Sequence, residues 1–364
     1  MFSPYAPPRH ILTFAQTLSG GGVERSMLRL ARGWLAAGLR VTLVMGDSVG
    51  SLAGEVPAGI ELVELNSSMV ASGQALPHIV QRAMPDIIFC PGNHYTASAA
   101  WLRFRLGRYC PPIVGKVSNR LDRIDQHFPL SQGYRAWLRM HPAFLDHVVA
   151  MTPAMRDETV AMMRIDPTRV SVIANPPNVS FADAAAPSLP GGRYLLGIGR
   201  LSAQKRWDRL IGALPDVARG DTELLILGEG EQRPALEDQV DSLHLAARAH
   251  LPGYTTDPRP ALAGAAALVL TSDFEGVPGV LQEALSVGTP VVTTDSSVAV
   301  REIVASPTLG TVVPTGDQAA LVAALDHWLA PGRARPDPVP ERGADSVERY
   351  LDLFERLTFE RIRA

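Results

Sequence analysis

Short apolar runs alternate with longer stretches in which apolar residues recur at helical spacing. HILTFAQTL, His10 to Leu18, predicts a strand, and Ser19-Gly20-Gly21-Gly22 a loop after it. From Val23 to Ala37 apolar Met27, Leu28, Leu30, Ala31, Trp34 and Leu35 mark one face of a helix that Gly38 stops. RVTLVMG and IELVELN predict two more strands, and a helix follows near Leu76 to Ala83. DIIFC (Asp86 to Cys90), Pro112 to Val117 and Val148 to Met151 predict further strands. Such alternation implies α/β architecture, a mostly parallel sheet with helices on both faces. No repeat of solenoid length interrupts it.

The pattern breaks between Ala174 and Arg193, a stretch rich in Pro, Gly, Ala and Ser, which marks a domain boundary. It then restarts: a strand in RYLLGIGR, a helix from Trp207 to Ala218, a strand in TELLILGEG and a helix from Arg233 to Leu243. The apolar run Ala267 to Leu270 predicts a buried strand ending in Thr271, Ser272 and Asp273. Glu275 and the flexible Gly276-Val277-Pro278-Gly279 follow. VLQEALSV then reads as a helix stopped by Gly288 and Pro290, and Pro290 to Thr293 as the next strand. A second break, PGRARPDPVP (Pro331 to Pro340), precedes a final helix from about Asp345 to Ile362.

Composition narrows the class. A chain of 364 residues holds about two domains on the usual size of ~100–200 residues each. With 46% hydrophobic and 20% charged residues it reads as globular, and a net charge of −3 makes no case for nucleic acid as a partner. Cys90 and Cys110 lack metal-type spacing and read as reduced thiols of a cytoplasmic protein. No apolar run reaches the ~18 residues of a membrane span, and the N-terminus lacks the pattern of a secretory signal. The sequons at Asn66 and Asn178 are then chance occurrences. There is no H-E-x-x-H, no Cys/His cluster and no D-x-D after a strand, so neither a metal nor a bound cofactor is expected.

The chemistry concentrates around Glu275. In a strand–loop–helix–strand unit, ligands bind in the crevice at the strand's carboxyl end. Glu275 on a surface loop and Glu283 about one turn into the helix can both face that crevice. The helix start at Gly279, Val280 and Leu281 points backbone N–H groups the same way, a site for phosphate. Two acceptor-only carboxylates beside an anion site suit a ligand with many hydroxyls and a phosphate, such as a nucleotide sugar. Two solvated glutamates are the alternative. The Gly20-Gly21-Gly22 loop lacks the third spaced glycine of a dinucleotide fingerprint, which argues against NAD.

E-G-V-P-G-V-L-Q-E-A-L-S-V-G-T-P-V-V resembles the donor-site signature of glycosyltransferase family 4, retaining sugar transferases of the GT-B fold. The resemblance continues along most of the chain. It implies two Rossmann-like domains facing a cleft: residues 1–174 for the acceptor, 175–340 for the nucleotide-sugar donor, and 341–364 as a helix returning to the first domain. By the same resemblance Glu275 holds sugar hydroxyls, Glu283 ribose hydroxyls, and Arg200 and Lys205, after Gly199, the diphosphate. The Gly276 to Leu281 segment completes the donor site. Gly228 and Gly230 resemble the loop nearest the nucleotide, and Tyr254 a position near the base, although Tyr254 also suits packing at a strand end. Gly21, Gly22 and Glu24 resemble the loop lining the cleft opposite the donor. Where many members carry a histidine after a strand, this chain has Ser118-Asn119-Arg120. His94 is either a cleft residue or a structural hydrogen-bonder.

The reaction implied is transfer of a hexose from a UDP- or GDP-sugar to a hydroxyl of a glycan or lipid-linked glycan, with retention, in cell-surface polysaccharide or glycoconjugate synthesis. A GT-B-like nucleotide-sugar epimerase and a non-catalytic nucleotide-sugar-binding module are the alternatives. Trp101, Arg103, Phe104, Arg105, Arg108 and Tyr109, with Arg120, Arg123, Arg135, Trp137 and Arg139, interleave basic and aromatic residues. That composition fits either peripheral contact with anionic lipid at the inner face of a membrane, or aromatics packed inward beneath a solvated basic face.

Overall fold

A computed structural model of the chain describes residues 8–18, 21–50, 52–65, 75–122, 130–177 and 187–363. Both sequons, Gly20 and Arg123 lie outside the described residues. The chain divides into two compact units, one running up to Pro176 and resuming at Gly343, the other Pro177–Arg342.

The first unit carries β1 (His10–Ala15), α1 (Gly22–Ala36), β2 (Arg40–Met45), β3 (Glu61–Glu64), α2 (Ala75–Ala83), β4 (Ile87–Cys90) and α3 (Thr96–Leu106). β5 (Ile113–Lys116), α4 (Leu130–Met140), β6 (His147–Ala150), α5 (Pro153–Met163) and β7 (Val170–Val172) follow. Its seven strands lie in the order β3-β2-β1-β4-β5-β6-β7, and every pairing is parallel. β1, β4, β5 and β6 are buried along their whole length. Strands covered by helices on both faces read as near-continuous apolar runs, which is how these four stand out in the sequence despite His10, Thr13, Lys116 and His147.

The second unit carries β8 (Tyr194–Ile198), α6 (Trp207–Ala213), β9 (Glu223–Leu227), α7 (Arg233–Ser242), β10 (Ala249–Gly253) and α8 (Arg259–Gly264). β11 (Ala267–Leu270), α9 (Gly279–Ser286), β12 (Val291–Thr294), α10 (Val300–Ile303), β13 (Gly310–Val313) and α11 (Gln318–Leu329) complete it. The sheet order is β10-β9-β8-β11-β12-β13, again parallel throughout. Its core is a continuous aliphatic cluster anchored by Trp207 and Trp328. The helix expected to reach Ala218 ends at Ala213, because Pro215 lacks an amide hydrogen and leaves a single 3₁₀ turn over Leu214–Asp216.

The last helix, α12 (Ser346–Arg363), belongs to the first unit. Tyr350 and Phe354 are fully buried and meet Trp34 of α1 and Phe89 of β4 edge-on or tilted, at centroid distances of 5.2 to 6.5 Å within the cluster. Two Rossmann-like units of this kind make the GT-B fold.

Candidate functional site

In the second unit the strand order reverses between β8 and β11, neighbours in the sheet but distant in sequence. Loops leaving the two strands at such a switch point diverge and open a crevice at the carboxyl ends. Here they are also tied together. Asp273 N donates to the Gln204 carbonyl at 2.9 Å, Gln204 Nε2 to the Phe274 carbonyl at 2.7 Å, and Thr271 Oγ1 to the Arg206 carbonyl at 2.8 Å.

Glu275 departs from expectation: it is buried, 8% exposed, rather than set on an open surface loop. Its Oε1 accepts from Lys205 Nζ at 2.6 Å and from Ser272 Oγ at 2.6 Å. The loop is drawn inward from the β12 side. Glu275 N donates to the Ser296 carbonyl at 3.0 Å, Ser297 Oγ to the Gly276 carbonyl at 2.7 Å, and Thr294 Oγ1 to the Ser272 carbonyl at 2.6 Å. Lys205 is accordingly held on Glu275, whereas the exposed Arg200 guanidinium has no partner among the described residues. The Arg200 backbone is fixed instead, its carbonyl accepting from Trp207 Nε1 at 2.9 Å.

α9 begins at Gly279 behind Pro278, which provides no side-chain cap. The N–H groups of Gly279 and Val280 have no partner among the described residues, and a Cβ at Gly279 would meet nothing within 4 Å. Leu281 does not share this role. Its N–H donates to the Pro278 carbonyl at 3.0 Å and its side chain is in the core. Glu283, half-buried, sits four residues after Gly279 and so shares its face of the helix.

Gly228 and Gly230 have a packing reason that the sequence did not reveal. A Cβ on Gly228 would lie 1.9 Å from the Gly199 carbonyl oxygen, and one on Gly230 2.3 Å from that of Leu201. Their lack of side chains lets the loops after β8 and β9 lie against each other. Their neighbour Glu229 is paired with Arg233, Oε2 to Nε at 2.8 Å and Oε1 to Nη2 at 2.7 Å. Tyr254, just after β10, is 39% exposed.

The first unit has its own switch point, between β1 and β4. Gly21 caps α1 without a side-chain bond, and Gly22 faces open space. Glu24, in the first turn, accepts from Tyr95 OH at 3.0 Å and lies 3.7 Å from His94 Nε2. Burial pushes the Glu24 carboxyl up, but the contacts from His94, its own backbone N–H and Tyr95 outweigh it and hold it below the usual range. Burial and the Glu24 charge push the Tyr95 phenol well up. Beside them Lys116, at the end of β5 and 3% exposed, donates to Ser26 Oγ and Asn175 Oδ1, each at 2.7 Å.

Asn119 turns to its own loop and Arg120 faces α5. Asn119 Oδ1 accepts from Arg120 N at 2.8 Å, and the Arg120 charge acts on Glu158 of α5, whose carboxyl is raised by burial. Sequence reasoning missed Lys116, Tyr95 and Ser272. A lysine closing the apolar run IVGK was the available signal for the first, and nothing marked the other two.

The basic and aromatic residues of the first unit divide. Trp137 turns inward, stacked on Phe144 at 5.4 Å, and Arg103 pairs with Asp146. Phe104 and Tyr109 are 77% and 70% exposed, with Arg105 over Trp101 and Arg108 over Tyr109. Among the described residues no helix is long and apolar enough to cross a membrane, and no group of His, Cys, Asp and Glu is placed to hold a metal.

Residues 20–181 match the family described as Glycosyltransferase Family 4, and residues 192–330 the family described as Glycosyl transferases group 1. The 2-deoxystreptamine N-acetyl-D-glucosaminyltransferase of Streptomyces fradiae is 29% identical over 264 residues, 65% of this chain and 60% of its own length. The lipopolysaccharide 1,6-galactosyltransferase of Escherichia coli K12 is 25% identical over 265 residues, 70% of this chain and 69% of its own. In fold, the chain is similar to Anabaena HepE solved in complex with UDP-glucose: TM-score 0.72, 18% identity, 97% of this chain and 99% of that one. The two family matches together span most of the sequence, each falling almost wholly within one of the two units, and the chain belongs to the family 4 glycosyltransferases.

Proposed function

We propose that the protein transfers a hexose from a nucleotide diphosphate sugar to a hydroxyl of a glycan or lipid-linked glycan, with retention of configuration. The observation that carries this reading is the Lys205–Glu275 contact of 2.6 Å at the β8/β11 switch point. It places a cation and an acceptor-only carboxylate in one crevice, with the open N-terminus of α9 leaving the same loop. Arg200 and Lys205 bind the diphosphate, with the Gly279 and Val280 N–H groups adding dipoles aimed at negative charge. Glu275 accepts from sugar hydroxyls and Glu283 from the ribose.

In the transfer, the bond between the anomeric carbon and the diphosphate oxygen breaks on the face where the acceptor oxygen bonds. The departing phosphate takes the acceptor's proton, so no side-chain base is required. Positioning and stabilisation of the leaving charge supply most of the rate. Glu24 and His94, with Gly21 and Gly22, serve the acceptor. The names of the relatives, one a transferase for 2-deoxystreptamine and one for lipopolysaccharide, support a hydroxyl acceptor.

The test is a donor screen across UDP-glucose, UDP-galactose, UDP-N-acetylglucosamine and GDP-mannose, with and without EDTA, following release of free nucleotide. One donor is expected to be consumed, its use surviving the chelator, and Arg200→Ala should weaken binding of the matching nucleoside diphosphate roughly tenfold or more, the scale of one charge-assisted contact. An isomerised sugar would establish an epimerase instead, and binding without turnover a non-catalytic module.

A further inference from the structure

The two oxygens of the Glu275 carboxylate are used unequally. Oε1 takes both protein donors, Lys205 Nζ and Ser272 Oγ, each at 2.6 Å, while Oε2 takes no hydrogen bond from the described residues. A carboxylate has about four lone-pair sites, so an oxygen holding two strong donors is saturated and its twin is left for a ligand. Lys205 has a second claim on it. A diphosphate arriving in the crevice is a dianion or more, and the lysine ammonium on its flexible stem can follow it. Ser272 has no such freedom. It is 0% exposed, and its carbonyl is held by Thr294 Oγ1 at 2.6 Å, which fixes its backbone against β12.

We infer that Ser272 is the positioning residue for Glu275. Its hydroxyl keeps Oε1 in place as Lys205 moves to the diphosphate, and so presents Oε2 to the sugar hydroxyls. Lys205 then couples the two halves of the donor. Its transfer to the diphosphate removes one of the two donors on Oε1 at the moment the sugar arrives. The inference rests on Glu275 being the sugar-hydroxyl acceptor, and it makes Ser272 specific for the sugar half of the donor.

The experiment compares, by calorimetry, affinity for UDP with that for UDP-glucose and affinity for GDP with that for GDP-mannose, using the pair that the protein binds. The ratio within that pair measures the gain contributed by the sugar. Ser272→Ala is expected to leave the nucleoside diphosphate affinity within about twofold and to cut the sugar-dependent gain roughly three- to tenfold, the scale of one hydrogen bond. In a Glu275→Ala background the same change should have no further effect, because its route of action is gone. Ser272→Cys, which keeps the volume with a weak donor, serves if the alanine variant does not fold. An equal loss for nucleoside diphosphate and nucleotide sugar, or an undiminished Ser272→Ala effect without Glu275, overturns the inference. If Glu275→Ala removes the sugar-dependent gain while Ser272→Ala does not, the inference alone falls. If Glu275→Ala leaves that gain intact, the role given to Glu275 falls and the inference with it.

Discussion

Lys116 ends β5 with an ammonium group inside the molecule, bonded to Ser26 of α1 and Asn175 of the segment leaving the first unit. Burial lowers it from 10.5 to about 7, with the Glu24 charge opposing and the Arg29 charge assisting. In the unfolded chain the amine keeps its proton to about 10.5, in the folded one only to about 7. Between those values the unfolded state binds the extra proton, so stability rises with pH across the window and the full burial penalty is present below it. Urea unfolding of wild type and Lys116→Met from pH 6 to 10 is expected to show the wild type gaining on the variant above pH 7. A constant difference would mean the amine titrates near its ordinary value. Lys116 and Glu275 mark the limit of reading at this scale. The types and spacing of Glu275 and Glu283 were legible, because a carboxylate on a loop followed by another one turn into a helix suggests a polar ligand. That Glu275 is buried was not legible, since beside the hydroxyl of Ser272 on its own loop it depends on the hydroxyls of Thr294 and Ser297 and the carbonyl of Ser296, brought in from the end of β12.

α1 and α12 meet at Gly33, where a Cβ would come within 2.3 Å of Val347 Cγ2. A mid-helix glycine ordinarily gives way to alanine with a gain of about 1 kcal/mol. Here the neighbour is a β-branched side chain with little rotamer freedom, and overpacking of this kind costs typically about 1–3 kcal/mol. Gly33→Ala is therefore expected to lower the melting temperature rather than raise it, and Gly33→Ala with Val347→Ala to recover part of the loss relative to Val347→Ala alone. A plain stabilisation by Gly33→Ala would show that α12 is not seated against α1. Elements with one dominant signal were legible: the buried strands from near-continuous apolar runs, and α1 from its stripe and the Gly38 stop. α3, α5 and α11 gave weaker patterns for different reasons. α3 buries Thr96 and Ala99 with its leucines, α5 places Thr159 between Met155 and Met163 on its inner face, and α11 is apolar nearly all round. β10 contains Pro252, and β13 opens on Gly310-Thr311 and is only half-buried in its middle, so neither resembles a core strand in sequence.

At the scale of the whole molecule the βα alternation and the proline-rich breaks were legible, because each reflects composition over ten or more residues. The surface was not, since a row of arginines and aromatics reads alike whether it faces water or core. The fold sorts them. Trp137 donates from Nε1 to Thr96 Oγ1 at 3.3 Å, tying α4 to α3, while Phe104, Tyr109, Leu130 and Met140 stay 56% to 77% exposed. Arg105, Arg108, Arg135 and Arg139 are exposed on the same two helices and the turn after α3. A chain with net charge −3 thus carries cations and exposed apolar side chains together on one unit. Each basic residue near an anionic surface is worth about 1 kcal/mol, and the attraction fades within a Debye length of about 8–10 Å at ordinary salt. A lipid-linked acceptor and peripheral binding are accordingly expected together. In a flotation assay the protein should rise with vesicles containing anionic lipid at low salt and stay behind with neutral ones. It should release as salt is raised, and bind less when Phe104 and Arg105 are both changed to Glu. Both positions belong to the first unit and neither is among the residues given to the donor site, so transfer to a soluble acceptor should be unaffected in that variant. If the wild type remains in the soluble fraction at low salt, the exposed aromatics have another role, the membrane reading falls and a soluble acceptor is favoured.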